Sequence, residues 1–447
     1  MKPRTLVIIF ILCFNFSCGS SGDDNNDNIS STQSAQILYM NDPNIECEST
    51  LLVETQQIEY HRNVKSVIDK TDVYLAFFSS AGSGDYVIHY LNFEKTSLLD
   101  YINVSNTSVI QVDHSRDLQI GFTTDFIPLV MYQGGSYPTC GATEQSDIML
   151  SMLENDTWQE YTISIGTVER NPVIHNGLVG YSSDMIVDST NTTHMCFQFL
   201  YEGCDSMNYN YPDLWYIQCS PDHLSGLSNH EVVEGNDYEN LNMQNNAGEH
   251  CAIALDHNNV PFIFYYFEGA APNKDHGLRL AYRNYQDSWE TQWIDKDIHV
   301  DSIHAAWNAN QEKMAVAYYV TQNAYGCRNN VLMYAEQSYN EWQSIVVDKS
   351  CYCGNYCSLT FDNNGEPIIA YRADKTRSQI PLNHLKIARR KSGVWKRFFC
   401  NTNNSGTVKN LGIDNTIHVE NNSIYITSFS GDTHRIYLLT LNMEHIE

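Results

Sequence analysis

The sequence predicts an all-β chain folded as a seven-bladed β-propeller, and three observations predict it. Tyr265, Tyr318 and Tyr371 stand 53 residues apart, and Trp289, Trp342 and Trp395 hold the same interval, so two independent landmarks share one period. Between the landmarks each unit holds four short runs with the strand period of two, bounded by Asn, Asp and Gly turns. The last unit, residues 409–443, holds only three such runs, and LLVETQQIEYH at 51–61 precedes the first unit as a spare strand. An incomplete last sheet leaves an unpaired edge, and the spare strand would close the ring there. Six or eight blades also fit the more worn terminal units.

The elements follow in chain order. Residues 1–18 read as an export leader, with Lys2 and Arg4 ahead of TLVIIFILCFNF, an apolar run shorter than the ~20 residues of a membrane span. Ser17 then precedes Cys18, and the polar tether 19–36 follows. Residues 37–447 form the propeller domain. Residues 65–104 make a unit without the tryptophan, 109–166 a second with Trp158, and 177–235 a third. Three clear units begin at 250, 302 and 356. Each runs through a tight polar turn (HNNV, ANQE, NNGE) into an aromatic, branched second strand, then a long variable loop, a third strand and the tryptophan hairpin.

Two resemblances rest on these residues. The Ser17-Cys18 boundary with Asp23, Asp24 and Asp27 just downstream resembles the lipobox and acidic tether of surface lipoproteins of Bacteroidota. It implies that Cys18 carries a lipid anchor, the chain's sole link to a membrane, and that the protein sits on the outer membrane or cell surface. The repeat, with LDHNNVPFIFYY and LRLAYRNYQDSW as its clearest copy, resembles the sialidase-like propellers of exported bacterial proteins. Asp156-Thr157-Trp158 and Asp287-Ser288-Trp289 match the tail of that family's Asp-box. The likeness implies the fold and leaves the enzyme class open.

Alternating strand direction sorts the turns onto two faces. Tight turns and tryptophan hairpins share one face, while the long loops near 133–146, 202–212, 268–277, 320–330 and 373–384 crowd the other with the inter-blade links. Tyr201, Glu202, Tyr266, Glu268, Tyr319, Tyr325, Arg372 and Asp374 start or occupy those loops. Tyrosines flanked by carboxylates suit a glycan or a protein surface, although any single one of them is better explained by capping its own blade.

The cysteines fall largely on the same face. Repeat equivalence pairs Cys204 with Cys251 and Cys327 with Cys357, each tying a long loop to the next blade. A loop closing between 202 and 213 sets Cys196 opposite Cys219, and Cys400 is expected to meet Cys351 or Cys353. The run Cys351-x-Cys353-x-x-x-Cys357 reads as disulfide-forming rather than as a metal site in an oxidising compartment. His299, Asp301 and His304 lie close on one link, with His304 expected to fill space near the axis. Asp188, Asp256 and Asp362 read as turn-formers rather than calcium ligands. No metal and no cofactor are therefore expected.

Function is bounded more than defined. The formal charge of −27, from 53 acidic against 26 basic residues, disfavours nucleic acid and anionic membranes as partners. No nucleophile elbow, zinc-protease helix or phosphate loop is present. The first expectation is a monomeric, surface-anchored lipoprotein whose long-loop face binds an extracellular glycan or protein. The alternatives are a sialidase-fold glycoside hydrolase or polysaccharide lyase, marked by paired carboxylates or a His/Tyr pair, and a structural component of an envelope assembly.

Overall fold

A computed structural model of the chain describes residues 42–54, 64–69, 71–82, 85–95, 102–103, 110–113, 117–134, 147–164, 167–170, 173–201, 212–220, 230–235, 245–269, 275–323, 329–338, 341–376, 381–402 and 410–446. Cys18, the leader and the tether lie outside them.

Seven antiparallel sheets follow one another along the chain. Blade 1 comprises Val64–Ile68, Asp72–Gly82, Asp85–Glu94 and Ile110–Asp113. Blade 2 comprises Leu118–Phe122, Pro128–Gly134, Asp147–Glu154 and Thr157–Ser164. Blade 3 runs through Val173–Val187, Thr193–Tyr201, Asp213–Cys219 and His230–Glu234, with Thr167–Arg170 added against the start of its first strand. Blade 4 is Asn246–Leu255, Pro261–Glu268, His276–Arg283 and Trp289–Lys296. Blade 5 is Ile298–Asn308, Lys313–Asn323, Val331–Ser338 and Glu341–Asp348. Blade 6 is Cys351–Phe361, Pro367–Thr376, Pro381–Lys391 and Val394–Thr402. Ile110–Asp113, expected within the second unit, is instead the outer strand of blade 1.

Blade 7 takes three strands from the chain's end, Ile413–Glu420, Ser423–Ser430 and Arg435–Asn442, and its fourth from Asn44–Glu54. The closing strand therefore lies upstream of the expected 51–61, and only residues 51–54 of that stretch are described. It does two jobs. Asn44 to Cys47 run parallel to Phe399 to Thr402 of blade 6, and Glu48 to Glu54 run antiparallel along Arg435 to Thr440 of blade 7.

Sequence periodicity explains how the blades pack. Second strands are buried on both faces, so they read as nearly continuous apolar runs, and successive side chains enter opposite seams. Phe264 and Tyr266 pack toward blade 5, whereas Ile263, Tyr265 and Phe267 pack toward blade 3. Seven apolar clusters result, each filling one seam between neighbouring blades, including the seam between blades 7 and 1. That last cluster closes the ring.

The landmark residues are seam residues. Tyr318 donates its hydroxyl proton to Asp295 at 2.9 Å and Tyr371 to Asp348 at 2.8 Å, and Tyr265 makes the equivalent bond to Glu234. In each case a buried tyrosine reaches an acid on the outer strand of the preceding blade. The tryptophans meet an aromatic ring of the preceding blade edge-on, as Trp289 with Tyr216, Trp342 with Phe264 and Trp395 with Tyr334. The tight turns behave as expected. Asp188, Asp256 and Asp362 each accept two backbone N–H bonds from their own turn, at 2.7 to 2.9 Å.

Candidate functional site

The innermost strands converge on a pocket of about 260 Å³ at the propeller axis, lined by residues of all seven blades. Local irregularity shapes it. Register shifts interrupt pairing between Tyr181 and Asp184, Glu249 and Ala252, Val300 and Ile303, Asn355 and Ser358, and Ile413 and Thr416. Ser182, His250, Tyr356 and Asp414, all at these bulges, take φ values of 48° to 54°. A bulge re-aims side chains and frees backbone N–H groups, which side chains of the preceding blade then accept. Asp117 accepts from Ser183 N at 2.7 Å, Asp184 from Ile253 N at 2.9 Å, Ser302 from Cys357 N at 3.1 Å, His304 from Leu359 N at 3.3 Å and Asp414 from Val64 N at 3.3 Å.

This collar gathers four carboxylates (Asp117, Asp184, Asp301, Asp414), two histidines (His250, His304) and one cation, Lys65. His250 Nε2 lies 3.5 Å from an Asp301 carboxylate oxygen. Deep in the narrow channel, enclosure by protein raises Asp184 to about 6, outweighing the nearby Lys65 and two backbone N–H bonds. The same enclosure, helped by Lys65, lowers His304 to about 4, so its imidazole is neutral near pH 7. A carboxyl that titrates near neutrality can donate and accept protons, and His304, whose Nδ1 accepts from Leu359 N, offers its Nε2–H as a donor. Among the described residues no arginine lines the pocket, in contrast to the convergent arginines that sialoside chemistry would need. Arg283, Arg389 and Arg390 are instead held by Glu231, Asp362 and Glu336.

A second concavity opens between blades 5 and 6, about 540 Å³ in volume and lined by Tyr319, Asn330, Tyr352, Asp374, Lys375 and Asn383. Two of the expected loop-face residues, Tyr319 and Asp374, therefore come together. Tyr319 donates to Asn330 at 2.9 Å, and the Lys375 ammonium stands 4.7 Å from the centre of the Tyr352 ring. Arg372, expected to face a ligand, does not. It is buried, with its guanidinium bonded to Asp374, Asn383 and the Asn410 side chain, because it clamps blade 6 to blade 7.

Tyr266 and Glu268 lie apart from that cleft. Tyr266 is buried, with its hydroxyl 2.7 Å from His299 Nδ1, and His276 stacks on His299 at 4.6 Å. This is a His/Tyr pair of the type that β-elimination uses, but burial holds the phenol firmly protonated, and desolvation lowers His299. A second pair, His194 with Tyr216 at 2.6 Å, is buried inside blade 3 beside Asp188 and is structural. Tyr201 ends the second strand of blade 3, while Glu202 and Tyr325 lie outside the described residues.

The cysteine pairings differ from expectation. Cys400 joins Cys47 of the closing strand, and Cys351 joins Cys353. Repeat logic missed the first because Cys47 lies outside every repeat. Cys196 is not opposite Cys219, since the register pairs Cys219 with Thr193 and Cys196 with Tyr216. Cys196 Sγ lies instead 3.3 Å from Cys251 Sγ in blade 4. Cys357 is a buried thiol next to Ser302, and Cys204 and Cys327 lie outside the described residues. Potential ligand atoms of Asp348, Cys351 and Cys353 do come within 4.8 Å of one another. The two sulfurs are bonded to each other, however, and Lys386 and Tyr371 occupy Asp348, so these residues do not fit a metal in this state.

No family model matches this chain, and no curated protein is similar to it in sequence. Solved structures are similar in fold. An ulvan lyase, a polysaccharide lyase, superimposes with a TM-score of 0.53 over 89% of this chain and 94% of its own, at 8% identity. An ulvan lyase structure bound to -[GlcA(1-4)Rha3S]- gives 0.53 over 89% and 95%, again at 8% identity. A Hadza microbial sialidase gives 0.48 over 84% and 74%, at 10% identity. Identities this low speak for the fold alone, and on fold the chain is a seven-bladed β-propeller.

Proposed function

We propose that this protein cleaves glycosidic bonds of an extracellular polysaccharide, as a propeller hydrolase or lyase working at the axial pocket. The observation that carries the reading is the Asp184, His304 and Lys65 group at the convergence of seven blades. In hydrolysis Asp184, in its protonated fraction, gives a proton to the leaving glycosidic oxygen, and a second carboxylate of the collar activates water. In elimination a second collar carboxylate takes the C5 proton of a uronate, and the C4–O bond breaks as the C4=C5 double bond forms. Protonated Asp184 gives the leaving oxygen its proton, and Lys65 with the Nε2–H of His304 holds the uronate carboxylate. The likeness in fold to polysaccharide lyases makes these chemistries the first to test. Export through the leader and anchoring at Cys18 would place the site where such polymers are met.

The test is a panel of neutral, uronate-bearing and sulfated polysaccharides incubated with protein lacking residues 1–36. New reducing ends mark hydrolysis, and the ultraviolet absorbance of unsaturated uronates marks elimination. Asp184→Asn and His304→Gln should each lower turnover by roughly 10²- to 10⁴-fold without unfolding the ring. Turnover that survives both substitutions would remove the axial pocket from the reaction.

A second reading, binding without turnover, is favoured by the cleft between blades 5 and 6. Tyr352 offers flat apolar area with a polar tip, and Asn330, Asn383 and Lys375 offer hydrogen-bond donors, the mixture that sugar recognition uses. A glycan array would support it if binding were lost on Tyr352→Ala while no polymer was degraded.

A further inference from the structure

We infer that Cys196 and Cys251 form an inter-blade disulfide, joining the second strand of blade 3 to the innermost strand of blade 4 beside the axial pocket. The inference is independent of the proposed activity. The two sulfurs stand 3.3 Å apart, closer than two unbonded sulfurs normally pack, and both side chains are buried in the seam cluster between those blades. Cys47 and Cys400 are likewise placed together, between the closing strand and blade 6, so a bond between Cys196 and Cys251 would be a second covalent tie across the ring.

The repeat supplies an internal comparison. Cys357 occupies in blade 6 the place that Cys251 holds in blade 4. Facing it from the preceding blade are Ser302, with its hydroxyl 3.4 Å from Cys357 Sγ, and Ala317, with its carbonyl oxygen 3.5 Å away and at the position that Cys196 takes in blade 3. Where blade 5 has an alanine, blade 3 has Cys196. Of these two seams, the one between blades 3 and 4 is thus supplied with both halves of the bond. Cys219, the alternative partner by sequence, is set three residues along the strand from Cys196.

The chemistry is a thiol–disulfide exchange. One cysteine, as thiolate, attacks a disulfide oxidant (oxidised glutathione or a dithiol oxidase) and displaces one of its sulfurs as thiol. The second cysteine then displaces the other. The pair gives up two electrons and two protons, and the oxidant is reduced to two thiols. Burial pushes both thiols above their usual range, which makes them poor nucleophiles once the seam is packed. The bond therefore forms while blades 3 and 4 are docking and not afterwards.

The test refolds the reduced protein with oxidised glutathione and, separately, with a reductant. Unreduced peptide mapping of the first sample should show the Cys196 and Cys251 peptides joined and two hydrogens lighter, with the Cys47–Cys400 link as positive control. Cys196→Ser and Cys251→Ser should each lower the Tm of the oxidised protein by several degrees and leave that of the reduced protein nearly unchanged. Alkylation of both thiols in denatured, unreduced protein that retains Cys47–Cys400 would overturn the inference. So would equal Tm losses in the two redox states, since these would report packing alone.

Discussion

The seams between blades 3 and 6 and the seam between blades 6 and 7 are held together differently. The former repeat one device, in which a buried tyrosine donates to an acid of the preceding blade and a tryptophan packs edge-on against it. The latter uses parts found once. Asn44–Glu54 pairs with blade 6 and then with blade 7, Cys47 is bonded to Cys400, and Asp42, at the head of the closing strand, pairs with Lys386 and Arg397 of blade 6. The reason is topological. A repeat ties each blade to the one just made, but the final joint needs a strand from the far end of the chain, and ordering it carries a large loop-closure entropy. A covalent bond and a buried ion network offset that entropy where apolar packing alone would leave an open edge.

Substitutions can break or sharpen this contrast. The largest effect is expected for Lys386→Met. Lys386 is wholly buried between Asp348 and Asp42, and its loss leaves buried Asp348 with Arg397 alone, 3.4 Å away, a change of about 3–5 kcal/mol in urea unfolding. Cys47→Ser should come next, at about 2–5 kcal/mol, and its effect should vanish under reducing conditions. Tyr318→Phe removes one repeated bond to a carboxylate and should cost about 1.5–3 kcal/mol, with Tyr371→Phe similar. If Tyr318→Phe matched Cys47→Ser, the two kinds of seam would be equivalent.

The smallest effects concern the axis, and they have opposite signs. Asp184 is raised in the folded protein to about 6, so it binds a proton there that the unfolded chain has already lost. Its stabilisation is present below its unfolded value near 4 and is lost as pH rises through about 6. His304 is lowered to about 4, so its contribution is present above about 6.5 and is lost as pH falls toward about 4. The two slopes oppose each other between those values. Asp184→Asn should unmask stability that rises with pH over that interval, and His304→Gln stability that falls, as read from urea midpoints across the range.

Much of the fold was legible because seams repeat. The tyrosine and tryptophan intervals are the spacing of buried contacts, and Asp295 and Asp348 repeat with them as the acceptors. The closing strand was legible as a missing partner but misplaced by several residues, since Asn44 to Cys47 pair with blade 6, a use that no repeat encodes. The site was less legible. At corresponding bulges stand Ser182, His250, Tyr356 and Asp414, so convergence at the axis left no repeated residue type to read. His304 was seen near the axis without its neighbours. Tyr319 and Asp374 were found because both begin a loop, and Arg372 was misjudged by the same rule, since its guanidinium turns back into the seam.

Hydrogen exchange followed residue by residue along Glu48–Glu54 tests the closure on which the axial pocket depends. If Asn44–Glu54 completes blade 7, the ladder amides of this stretch and of Arg435–Thr440 exchange slowly and together, at rates like those of the inner strands of blades 4 to 6. Rapid exchange of both stretches, with blades 4 to 6 still protected, would mean that the ring is open at this seam.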